Sequence, residues 1–242
     1  MPSANASEHQ LETLRLYGEL VEVREDWGGR LVLCCGEGCA ASGVPAAVSI
    51  AGGATLAVDG DADAVKAAMR RGELDFVVDT LDEALRALKN EVRVRRPLSV
   101  GLIAEGSRAL KEMVERGVLP DLLLIGAKQN AQAIMENKSI RALEAAGMAL
   151  RSMVNADGER LVRHRTMPSC KRREEVYLSA ANAAELRALD ERVLAILPGD
   201  DLVRRRWIQR ASQYLRDARS GGRWVWLGEE ELKRLREAGF QD

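Results

Sequence analysis

The sequence predicts an α/β protein built on a doubly wound, mostly parallel sheet. Three observations lead there. Short apolar runs alternate with longer amphipathic stretches along most of the chain. Alanine, leucine, valine and arginine dominate while aromatic residues make up only 4%, the composition of helices packed on a parallel sheet. The first apolar run, Leu31 to Leu33, then stops at Gly36 and Gly38 and is followed by small residues. Such a segment suits a strand that turns sharply into a helix.

Taken in order, residues 10–25 read as an amphipathic helix with Leu11, Leu14, Leu16 and Leu20 on its apolar side. The first strand, the glycine turn, an alanine-rich helix and a second strand from Ala54 to Val58 come next. Ala64 to Arg70 reads as a helix closed by Gly72, and residues 74–78 as a short strand. Thr80 with Glu83 three residues on is a capping-box arrangement for the following helix. Residues 98–103 form the next strand, Gly106 to Arg116 a helix ended by Gly117, and 121–126 an apolar strand after Pro120. Ser139 to Val154 should supply one more helix and strand.

The polar, basic stretch 156–175 reads as a linker, dividing the chain into an N-terminal helix and tail (1–27), a core (28–155) and a C-terminal segment (156–242). That last segment alternates strand, two helices, the strand RWVWLG and a closing helix. It is expected to pack as an α/β extension on the core, or onto another protomer, because its strands are too few and too apolar to stand alone. Trp224 and Trp226 alternate as two residues on one face of a strand do.

The glycine turn carries the functional signal. Gly36 can take the tight turn, Gly38 leaves the backbone open to a pyrophosphate, and Ala41 is small enough for close helix–strand packing. A helix start at this point offers free N–H groups and a positive dipole end. Asp59, at the end of the second strand, stands where an acid accepts hydrogen bonds from a ribose diol. Together these residues point to a Rossmann-like dinucleotide site; alternatively, the glycines only build a tight turn.

Charge narrows the partners. With 36 basic and 37 acidic residues the net charge is −1, which speaks against nucleic acid and an anionic membrane surface. The basic runs Lys171–Arg173 and Arg204–Arg206 are flanked by Glu174, Glu175, Asp200 and Asp201, and read as solvated salt-bridging faces. The polar N-terminus and the lack of a membrane-length apolar run predict a soluble cytoplasmic protein. Cys34, Cys35, Cys39 and Cys170 form no zinc pattern. Cys34 and Cys35 read as packing residues, whereas Cys39, beside the expected helix start, is a candidate reactive thiol. His9 and His164 are too few for a histidine-based metal site.

Several segments resemble the urocanases, the NAD-dependent urocanate hydratases of histidine breakdown. GGRLVLCCGEGCAASGVPAAVSIAGGATLAVDGDADAV is similar to the family's strand, glycine loop, "MAGG" helix end and "LAVEVD" strand. ELDFVVDTLDEALR and RPLSVGLIAEGSRALKEMVERGVLPDLLL resemble further segments in the family's order, as do VYLSAANAAELRALDERVLAILPGDDLVRRRWI and WVWLG later on. The resemblance implies a divergent, shortened Rossmann-like core with NAD as cofactor, held by Gly36, Gly38, Cys39, Ala41 and Asp59. Asp59 falls on the family's ribose-binding glutamate, and Cys170, a short step out of register, is the candidate for its essential catalytic cysteine. Elsewhere the chain departs from the pattern. Ala64 stands where an arginine is expected, Glu105 where an asparagine is expected, and Leu124 to Ala131 replace the signature "TDQTSAHD".

Two functional readings follow. One is a lyase of the urocanate hydratase type with an NAD site and altered or weak activity. The other is a catalytically silent relative, acting as a ligand-binding or partner subunit. Either takes a small-molecule or nucleotide ligand, as a homo-oligomer or with a complementing chain.

Overall fold

The computed structural model describes residues 4–125, 138–152, 173–215 and 221–238. The chain divides into two units, residues 26–162 and residues 1–25 with 163–242.

In the first unit β1 (Leu31–Cys35), β2 (Ala54–Asp59), β3 (Phe76–Val78), β4 (Leu98–Ile103), β5 (Leu122–Ile125) and β6 (Ala149–Ser152) form one sheet in the order β3-β4-β2-β1-β5-β6. Every pairing is parallel. The connecting helices are α2 (Val44–Ala51), α3 (Ala62–Arg71), α4 (Leu81–Arg93), α5 (Gly106–Glu115) and α6 (Lys138–Ala145). Here α1 denotes the helix Ala4–Val23 of the other unit. Because β1, β2 and β5 are covered on both faces, every residue in them is buried, so they read as unbroken apolar runs.

Each face has its own core. Leu33, Leu56, Val100 and Leu123 meet Leu88, Leu110, Met113 and Leu143 from α4, α5 and α6. On the opposite face Ala57 meets Val65, Ala68 and Leu74 around α3. The approach there is close: a Cβ on Gly101 would lie 2.8 Å from Leu74 and 2.9 Å from Val65. Glycine in β4 thus lets α3 lie against the sheet.

Local signals set the element ends. Asp61 caps α3 through the N–H groups of Asp63 and Ala64, and Thr80 Oγ1 accepts from Glu83 N at the start of α4. β3 is shorter than the 74–78 expected. Asp75 N still donates to Ser99 O, but the Asp75 carboxylate takes the N–H and the hydroxyl of Ser99, so the return half of the ladder there is a side-chain contact.

The second unit holds an antiparallel pair, β7 (Arg173–Ala180) with β8 (Gly221–Gly228), and the helices α1, α7 (Ala183–Ile196), α8 (Leu202–Tyr214) and α9 (Glu229–Glu237). Trp224 and Trp226 do share a face of β8, alternating with buried Arg223, Val225 and Leu227. Cover for that tryptophan face comes from α1. Tyr17 stacks on Trp226 with ring centroids 6.3 Å apart, and Trp224 Nε1 donates to Ser7. Arg15 forks onto Glu175. Gln10 accepts from Trp224 N and donates to Gly222 O, pairing backbone groups along the edge of β8. The N-terminal helix, set apart in the sequence division, therefore belongs with residues 163–242, because its polar and aromatic side chains complete that small sheet.

One expectation about charge needs correcting. Arg204 is buried, not solvated, and bonds Asp201, Glu231 and the carbonyl of Trp226. The neighbouring Asp201 supplies its counter-charge, as the flanking acids suggested; the contact with Glu231 comes from α9, which lies far along the chain. Among the described residues no helix is long and apolar enough to cross a membrane.

Candidate functional site

Chain direction reverses in this sheet between β1 and β5: the connections from β1 run towards β3, and those from β3 run back to β6. The crevice at the carboxyl ends of such strands is where ligands enter a doubly wound sheet. Its described walls are the loop after β1 (residues 36–43), the turn after β2 (Gly60 and Asp61) and the turn after β4 (Ala104 and Glu105). Residues 126–131, where the sequence departs from "TDQTSAHD", and Cys170 lie outside the described residues.

The loop differs from the turn read in the sequence. Gly36 and Gly38 both take positive φ, 120° and 84°, as a sharp exit from the strand requires. The helix does not follow at once. Cys39 N donates to Gly36 O and Ser42 N to Cys39 O, so residues 36–42 make two successive turns. Helix α2 begins only at Val44, after Gly43 in the left-handed region and with no side-chain cap. Ala41 stays in the loop, half-buried, and the close-packing role expected of it falls to Ala40, buried against Ala57 and Val65.

Asp59 is fully buried. Its Oδ2 accepts from Gly38 N at 2.9 Å and Ala40 N at 3.4 Å, and its Oδ1 accepts from Asp61 N at 3.0 Å. The acid expected to meet a ribose diol thus binds the glycine loop itself. Asp61 takes the first N–H groups of α3 in the same way. Two carboxylates of the chain therefore occupy the backbone donors that line this edge. Glu37, Asp61, Asp63 and Glu105 are exposed around it, and Glu105 accepts from Ser107 without capping α5.

Cys39 is also not the thiol expected beside a helix start. It forms a disulfide with Cys34, Cα to Cα 5.7 Å, and both residues are fully buried. Local spacing hides this pairing in the sequence. Only the chain reversal at Gly36 and Gly38 brings position 39 back over the end of β1. Cys35 points to the other face, into the α4–α6 core, and remains a free thiol. Burial, with a contribution from the negative charge of Asp59, pushes its pKa up to about 12. Among the described residues no cluster of His, Cys, Asp and Glu could hold a metal ion.

A parallel sheet with its glycine loop at the switch point and an acid ending the second strand defines a Rossmann-like domain. The family model described as the Urocanase Rossmann-like domain matches residues 11–131, half of the chain, which belongs to the urocanase family. That family uses tightly bound NAD within this domain. In this loop conformation the residues do not fit that group. The N–H groups that would face its phosphates donate to Asp59, and the carboxylates around the edge oppose a phosphate charge.

Proposed function

We propose that this chain is a urocanase-family binding protein with little or no hydratase chemistry of its own. An NAD-type nucleotide enters at the carboxyl edge only when residues 37–42 let go of Asp59. One observation carries this reading: the buried Asp59 carboxylate sits on the Gly38 and Ala40 N–H groups. Releasing them restores both halves of a dinucleotide site, free amides for phosphate and a carboxylate for a ribose diol. Chemistry on urocanate needs more than this. Ala64, Glu105 and Leu124 stand where the family pattern has other residues, and groups that act as a unit lose most of their effect together. We further propose a cytoplasmic protein that meets a small-molecule or nucleotide ligand as a homo-oligomer or beside a chain that supplies the missing groups.

Denaturing the purified protein and identifying any nucleotide it releases tests the first part. Following urocanate by absorbance with added NAD tests the second, and no turnover is expected. Turnover of roughly 1 per second or faster would overturn the silent reading and return the chain to the lyases.

A further inference from the structure

Cys34 lies in the sheet, in register with Ala57 of β2 and Leu124 of β5, so one end of the disulfide is anchored to three parallel strands. The other end is attached to the loop between Gly38 and Ala40, the two residues whose N–H groups hold Asp59. Sulfur chemistry and loop closure therefore meet at one residue, Cys39. No second exchange partner stands beside the pair among the described residues, since Cys35 faces the opposite side of the sheet. The bond is buried, so a reductant reaches it only when the loop opens.

We propose that Cys34 and Cys39 form a thiol–disulfide latch on the glycine loop. Oxidised, the bond pins residue 39 over β1 and keeps Gly38 and Ala40 on Asp59. Reduced, the segment around residue 39 loses its covalent tie and is held by hydrogen bonds and the packing of Ala40 alone, and it leaves Asp59 far more often. The reductant is a dithiol. One of its thiolates attacks a sulfur of the pair, the Sγ–Sγ bond breaks, and a mixed disulfide forms. Its second thiol then closes the reductant into a cyclic disulfide, leaving two electrons and two protons on the Cys34 and Cys39 thiols. Return to the latched form transfers the same two electrons to a small-molecule disulfide. That opening admits a nucleotide rests on the reading above; the latch does not.

Amide hydrogen exchange of the full chain tests it, read at residues 37–41 before and after treatment with dithiothreitol. Reduction should speed exchange of the Gly38 and Ala40 amides about tenfold or more, while amides in β2 and β4 keep their rates. The double variant Cys34→Ser, Cys39→Ser should exchange at the fast rate with or without dithiothreitol. Should that variant fail to fold, chemical reduction of the natural chain still decides the matter. Equal exchange in the two redox states overturns the latch. So does finding both cysteines free to alkylating reagent when protein equilibrated with oxidised glutathione is unfolded without reductant. Calorimetry with NAD on both forms separates the two claims. Binding at least tenfold tighter to the reduced form supports the latch as a gate. Faster exchange with no NAD binding in either form supports the latch and removes the nucleotide reading.

Discussion

The N–H of Gly38 donates to Oδ2 of Asp59 over 2.9 Å, so the acid that ends β2 holds the loop that leaves β1. Ala40 donates to the same oxygen and Asp61 to the other. An anion inside a ring of backbone donors is what a phosphate-binding loop offers its ligand; here a side chain of the same fold supplies it.

If this arrangement holds the loop in place, Asp59→Asn destabilises the sheet unit. Hydrogen bonds to a charged group are worth about 1.5–3 kcal/mol each, and the amide presents an NH₂ to donors that need an acceptor. Urea unfolding should show a loss of about 2–4 kcal/mol. A change below about 0.5 kcal/mol, the size of an ordinary surface substitution, would mean that Asp59 does not organise the loop.

Gly38 is needed for its backbone and not for lack of room. Its φ is 84° and an added Cβ would meet nothing within 4 Å. Replacements should therefore rank by their tolerance of the left-handed region. Asn should cost least, Ala about 1–2 kcal/mol, and β-branched Val most. Thermal unfolding of the three variants checks the order. Equal losses for Asn and Val would point to a steric cause that the geometry does not show.

Acid should weaken the unit formed by residues 1–25 and 163–242 through Arg204. Burial pushes Glu231 and Asp201 upward, but hydrogen bonds and charge from Arg204 outweigh it and hold both carboxyls below their ordinary values. Carboxyls lowered on folding stabilise the protein above their unfolded pKa values, about 4. That contribution is lost as pH falls through the depressed folded values. Tryptophan fluorescence should report loosening below about pH 4, since Trp207 lies in this unit and Trp226 O accepts from Arg204. In Arg204→Met, Glu231 loses its ion-pair partner and Asp201 keeps only Arg173. Stability at pH 7 should drop by about 3–5 kcal/mol and the acid dependence should shrink. An unchanged acid profile in that variant would rule out this origin.

Cys35 should be inert in the native protein. With its pKa raised to about 12 by burial and by Asp59, almost no thiolate is present at pH 8. Peptide mapping after iodoacetamide treatment should find it unmodified until the chain unfolds. Ready labelling at pH 8 would show that the α4–α6 face opens on its own.

Much of the architecture was legible in the order of residues. Alternating apolar runs and amphipathic stretches anticipated the parallel sheet and its helices, and Thr80 and Gly72 marked helix ends. Segments in the family's order anticipated the urocanase match. These signals are local or repeated, so each can be read without knowing what lies opposite. Roles that depend on a partner chosen only in the folded chain were not legible. The place of Asp59 after β2 suits a ribose acceptor, but nothing along the chain shows that the N–H groups of Gly38 and Ala40 donate to it. Cys39 looked like a free thiol because nothing along the chain shows that the turn folds it back over Cys34. Arg204 looked solvated because Glu231, which together with Asp201 makes its burial tolerable, comes from another helix. Periodicity and turn chemistry act over a few residues and survive any arrangement of the rest. Which acceptor satisfies a buried donor depends on where separate segments come to lie. Whether Cys34 meets Cys39 depends on how the short turn between them folds back, and the tertiary structure decides both.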